Sequence, residues 1–343
     1  MFRPLAIAVL ASLAGASAAS SVAADTAKPS IAVIHHLKLG GTGGWDYLNF
    51  DAQRRHLFVS RGDRVLVIDV DHDKQIGTIA NTDGVHGIAI AQDLHRGFTS
   101  NGKSNSVTVF DLDTLKTVAT ITGTGQKPDA ILYDSASHHV LTFNGKSGDA
   151  SVIDPAKNAV IATIALPGRP EFSAADGSGH VYANLEDKSA LVEIDSSSNK
   201  VLNTWPLAPC ESPSGLAMDV AHARLFSVCD NQVMSVLDAH DGHRVATVPI
   251  GDGPDAVSFD PGEGVIYSSN GESGTLTVVH EDDPDHYHVV ANVPTQVSAR
   301  TQALDADKHR VYLSAAQLGD KKDAHGRPQA VPESFTILTV GKP

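Results

Sequence analysis

Seven polar side chains recur along this chain at intervals of about forty residues: Asp46, His86, Asp129, Glu171, Ser214, Asp255 and Arg300. Four carboxylates, one imidazole and one guanidinium are groups that hold a cation or a small cationic or hydroxylated ligand, provided a fold brings them together. His86 and Glu171 are the pair best suited to a divalent metal ion, because a neutral imidazole and a carboxylate are both good ligands. A second set follows the same beat: Arg61, Asn101, Asn144, Asn184, Cys229 and Asn270. Of these, Asn101, Asn144 and Asn270 are candidate ligand-binding amides.

Known catalytic patterns are missing. The sequence has no His-Glu-x-x-His, no Gly-x-Ser-x-Gly and no Cys-x-x-Cys-His, so zinc-protease, serine-hydrolase and c-type haem signatures are all absent. Gly40-Gly-Thr-Gly-Gly44 is glycine-rich but enters a strand, not a helix, which argues against a phosphate cradle. Asp69-Val-Asp71-His-Asp73 opens like a calcium loop but lacks its glycine and closing glutamate. His286 and His288 set two imidazoles on one strand face, with no third ligand legible beside them.

The elements that must position these residues come from a repeat. An alternating apolar run, an Asp or His, a polar turn and a second alternating run recur with that residue at Asp69, Asp111, Asp154, Asp195, Asp238 and His280, spaced 41 to 43 residues apart. Period-two alternation on both sides of a turn is a β-hairpin. A second pair of short strands precedes each hairpin, as in PDAILYD-SASHHVLTFNG from Pro128. Four strands, A to D, make one propeller blade, and seven strand-A starts make seven blades. The last repeat lacks its outer strand, and Ile31–Leu39 reads like one. The expected fold is therefore all-β, a seven-bladed β-propeller whose N-terminal strand completes the last blade. Strand-A starts and strand-B ends then meet at one mouth of the central channel.

The hairpin pattern Ile-Asp-x-x-x-x-Lys-x-Val-x-Thr-Ile, the Pro-Asp-Ala strand start and the tail Phe335-Thr-Ile-Leu-Thr-Val-Gly-Lys342 resemble the YncE-like group of the YVTN β-propeller family. The resemblance covers residues 25–343 and implies the propeller fold and export. The literal Tyr-Val-Thr-Asn tetrad is replaced by forms such as Phe98-Thr-Ser-Asn101.

Residues 1–24 read as a signal peptide: Arg3, an apolar run from Leu5, then Ala23-Ala24 before Asp25. The expectation is a periplasmic protein with residues 25–343 as one domain and no membrane span. The formal net charge of −14 argues against a nucleic-acid backbone as partner, since that affinity rests on Lys and Arg. Cys210 and Cys229 are the two cysteines, and export makes a disulfide between them the expectation. The segment 316–332 interrupts blade seven, and its position predicts a lid carrying Lys321, Lys322, His325 and Arg327 over the mouth. Two functional classes follow. One is a non-catalytic binding or scaffold protein whose mouth takes a small molecule or a protein partner. The alternative is a periplasmic metal-dependent enzyme, lactonase-like or dehydrogenase-associated, at the same mouth. A divalent metal ion is the one cofactor the residues point to.

Overall fold

The computed structural model describes residues 1–2, 31–322, 326 and 328–343. All but the first two residues of the expected signal peptide lie outside the described residues. Seven four-stranded antiparallel sheets follow one another around a central axis, as the repeat predicts. Blade 1 runs from the axis outward as strand A Leu48–Asp51, B His56–Arg61, C Arg64–Asp69 and D Lys74–Ala80. Blade 7 consists of A Gln302–Asp305, B Arg310–Ala315, C Thr336–Gly341 and, as strand D, the N-terminal Ala32–Lys38. That last pairing runs antiparallel from Ala32 opposite Gly341 to Lys38 opposite Thr336. It covers an edge that would otherwise present unpaired backbone donors and acceptors.

The apolar core lies between blades. Phe58, Val65, Val67 and Ile79 of blade 1 pack against Val85, Ile88, Phe110 and Leu112 of blade 2, and Leu338 and Val340 of blade 7 pack against Val278 and Tyr267 of blade 6. Strand alternation makes this possible: B and C strands bury both faces, so their runs are nearly continuous in apolar or small residues, whereas D strands bury only part of one face. At the face away from the strand-A starts, buried aspartates end strand A and accept the next turn's backbone amides, as Asp51 does from Gln53 and Arg54. Arg55 of blade 1 reaches Asp305 of blade 7 at 2.9 Å, fastening the seam. Among the described residues no helix is long and apolar enough to cross a membrane.

Candidate functional site: the channel mouth

Strand A is Val85–Ala91 in blade 2, Pro128–Asp134 in blade 3, Pro170–Ala175 in blade 4, Pro213–Asp219 in blade 5 and Pro254–Asp260 in blade 6. In all five the register with strand B slips just after the first residue. A bulge frees a residue from the ladder and re-aims its side chain. The freed positions include His86, Asp129, Glu171, Ser214 and Asp255. Asp46 and Arg300 stand two residues ahead of their strands. Side chains near the end of strand B hold these turns from a neighbouring blade. Ser269 donates to the Arg300 carbonyl at 2.5 Å, and Asn184 donates to the Ser214 and Gly215 carbonyls at 2.9 and 3.0 Å. Ser100 does the same for Asp129. Thr301 closes the circle with a hydroxyl bond of 2.6 Å to the Asp46 carbonyl.

The result is a chain of charge contacts around the mouth. The His86 Nδ1 lies 2.5 Å from Asp46 and 3.5 Å from Asp129. Asp129 also meets Lys127 at 3.1 Å. On the other side, Arg300 lies 3.6 Å from Asp46 and 3.3 Å from Asp255, and Asp255 accepts from the Ser214 hydroxyl at 2.8 Å. Burial pulls the His86 imidazole down, but the Asp46 hydrogen bond and the Asp129 charge carry it above its ordinary value. Lys127 and Arg300 behave alike: burial opposes their charge and the ring carboxylates more than restore it. Glu171 has no cation of its own. Burial, then the charge of Asp129 and a hydrogen bond shared with Glu186, push its carboxyl up to about 9, which favours a proton on this carboxyl pair. Burial also raises Asp255, although Arg300 opposes it.

Beneath the rim, Tyr47 of blade 1 and Phe172 of blade 4 stack across the axis, ring centroids 4.3 Å apart. The Tyr47 hydroxyl is buried with no hydrogen-bond partner among the described residues, and burial together with the charges of Asp129, Glu171, Asp46 and Asp255 raises its pKa. The mouth is therefore a cup with a charged rim and an aromatic floor. Asp46, His86 and Asp129 each offer one atom within 4.8 Å of the others, a spacing that a divalent cation could draw together.

No family model matches the sequence. The uncharacterized protein YncE of Salmonella typhimurium and its namesake in Salmonella typhi are each 24% identical over 232 residues, covering 67% of this chain and 53% of theirs. The chain is thus a seven-bladed β-propeller whose sequence is similar to that of YncE. The chain spans about half the length of those curated relatives. Among solved structures, the fold is similar to a chain of Kuenenia stuttgartiensis hydrazine synthase, with TM-score 0.68, 18% identity and coverage of 79% of this chain and 92% of that one. It also matches U3-55K, with TM-score 0.75, 10% identity and coverage of 91% and 98%, and the RRP9 WD40 repeats at the same TM-score and identity, covering 92% and 98%. These likenesses support the fold alone.

Several expected site residues have other tasks. Asn101, Asn144 and Asn270 are fully buried and do not offer groups to the mouth. Each accepts from a hydroxyl two residues back and donates both amide hydrogens within its own blade, as Asn101 does to Ser106 and Thr108. The glycines after them give the ring its room: a Cβ at Gly102 would lie 2.8 Å from the His86 ring, and one at Gly271 would lie 2.6 Å from the Arg300 Cβ.

Arg61 is buried too, with Gly40, Thr42, Gly43 and Gly44 carbonyls around its guanidinium and the Phe335 ring 3.9 Å beneath it. The glycine-rich loop thus cages a cation instead of an anion. The Cys210 and Cys229 sulfurs are bonded, Cα atoms 5.5 Å apart. The expected lid is a hairpin, Leu318–Lys322 pairing with Pro328–Ala330, while His325 and Arg327 lie outside the described residues. Its base packs on the glycine loop, where Glu333 accepts from the Gly41 amide at 2.9 Å and a cavity of about 50 Å³ opens beside Arg61. The ring's ion pairs run to His86, Lys127 and Arg300; Lys321 and Lys322 take no part in them.

Sequence reading missed Tyr47, Lys127 and Glu186. Tyr47 stands one residue after Asp46 and Lys127 two before Asp129, and that proximity was their only signal.

Proposed function

We propose that this propeller is an exported, non-catalytic binding protein whose channel mouth takes a small cation. The observation that carries the reading is the ring itself: Asp46, Asp129, Glu171 and Asp255 gather at the strand-A starts around a buried Tyr47 hydroxyl that has no partner among the described residues. A buried polar atom left unpaired costs free energy, and a ligand seated in the cup would meet it. The aromatic floor suits an organic ammonium group, and the Asp46–His86–Asp129 trio suits a divalent ion. Either would take over the neutralising role of the Glu171 proton. Export is read from residues 1–24, and the disulfide fits an oxidising compartment.

Titration calorimetry of the full chain with Mn²⁺ and with tetramethylammonium tests this. At least one of the two binds with one-site stoichiometry, and Asp129→Asn weakens it tenfold or more. If neither binds, or if binding ignores the substitution, the mouth is not the site. The same trio favours a second reading, a metal-dependent hydrolase, because a divalent ion held by three protein ligands keeps a position for an activated water. Manganese-dependent turnover of a lactone by the wild type, lost in His86→Ala, would select that reading.

A further inference from the structure

The outer hairpin of blade 6 differs from the others. Its strands, Thr275–Asp283 and His286–Pro294, are nine residues each, whereas the C strands of blades 1 to 5 have six. His280, sixth in its strand and equivalent to Asp69 of blade 1, lies directly opposite His288, and the extra length continues the hairpin past this pair. Just beyond this pair the register slips between Glu281 and Asp283, so Asp282 is the bulged residue, the one a bulge re-aims. Its carboxylate turns onto the histidine pair: Oδ1 lies 3.0 Å from the His280 Nδ1 and Oδ2 lies 2.7 Å from the His288 Nδ1. The imidazole centroids are 5.5 Å apart. His286, expected to pair with His288, turns instead to Asp283 at 2.9 Å.

We infer that His280, Asp282 and His288 form a surface site for a borderline divalent transition metal such as Zn²⁺ or Cu²⁺. Imidazole nitrogen with one carboxylate oxygen is the donor set these ions select over Mg²⁺ or Ca²⁺. The three donor atoms already lie within 4.8 Å of one another, and metal–ligand bonds of about 2.0–2.2 Å require them roughly 3.3 Å apart. Each Nδ1 already lies within that separation of one Asp282 oxygen, Oδ1 for His280 and Oδ2 for His288, so binding needs the two rings to close on a shared ion. Both rings have room to turn, with side chains 39% and 55% exposed. A neutral imidazole moves its single proton to Nε2 and frees Nδ1 for the ion. Three protein ligands leave further coordination positions to water, so the ion exchanges freely. The site stands on an outer hairpin and owes nothing to the channel mouth.

Zn²⁺ titration of the full chain tests the inference, in an Asp129→Asn background that breaks the mouth's own His–Asp trio. One Zn²⁺ binds per chain there. His280→Ala with His288→Ala weakens it at least tenfold, and Asp282→Asn weakens it to a lesser degree. These side chains lie on the surface, and an unchanged melting temperature without metal confirms that the variants are folded. Absence of Zn²⁺ binding in the Asp129→Asn protein, or binding that survives the double substitution, overturns the site.

Discussion

At the scale of single residues, position in the repeat decides what a side chain does more than its chemical type. Asn101, Asn144 and Asn270 sit where a propeller turn reaches the mouth, yet their amides face inward, where strand C takes both hydrogens, on two hydroxyls for Asn101 and Asn270 and on the Asp149 carboxylate and a hydroxyl for Asn144. A sequence gives the turn but not the direction of the amide. Arg61 holds the equivalent position in blade 1 and is satisfied in a different way, by backbone carbonyls and the Phe335 face. Burial and the nearby Arg64 charge lower its pKa to about 10, still charged at neutral pH. Arg61→Met leaves those carbonyls without their donor and is expected to lower stability by about 1–3 kcal/mol, as measured by urea unfolding. A change of under half that range would mean the cage is dispensable.

At the scale of elements, one strand-A bulge repeated around the axis turns a linear pattern into a ring. The bulge was not legible in the sequence, because nothing in Pro-Asp-Ala or Pro-Glu-Phe distinguishes a slipped register from a regular one. Its consequence was legible, since the residue after the proline recurs with the repeat. Serines near the end of strand B add a second layer: the variant tetrads Phe98-Thr-Ser-Asn101 and Tyr267-Ser-Ser-Asn270 carry one residue that ties the next blade and one that ties their own. In blade 5 the corresponding segment ends at Cys229, and the disulfide joins it to the loop before its strand A. The bond closes a loop of 19 residues in sequence, for which chain entropy gives roughly 3 kcal/mol. Cys210→Ala with Cys229→Ala should therefore shift the urea midpoint down by a corresponding amount, and reduction should do the same in the wild type. Equal midpoints in all three would show that the staple adds nothing.

At the scale of the whole molecule, closure makes the mouth possible. The N-terminal strand completes blade 7, Arg55 spans the seam to Asp305, and Thr301 and Arg300 tie the Asp46 segment on the opposite face. Seven blades, their strand order and the closing strand were readable because each repeat makes the same local statement. The aromatic floor was not, since Tyr47 and Phe172 meet only after the ring has closed across 125 residues of sequence. The same closure concentrates Asp46, Asp129, Glu171 and Asp255 around one axis, which raises the Glu171 carboxyl and favours a proton there. A cation entering the cup must compete with that proton, so its affinity should rise with pH until Glu171 ionises unaided. The most direct measurement is an NMR titration of the Glu171 carboxyl, assigned with Glu171→Gln, in the free protein and with Zn²⁺ as a diamagnetic divalent ion or with tetramethylammonium present. The account predicts a midpoint near 9 in the free protein and a clear fall when a cation occupies the mouth. A midpoint that neither cation moves, or one in the ordinary carboxylate range from the start, would contradict it.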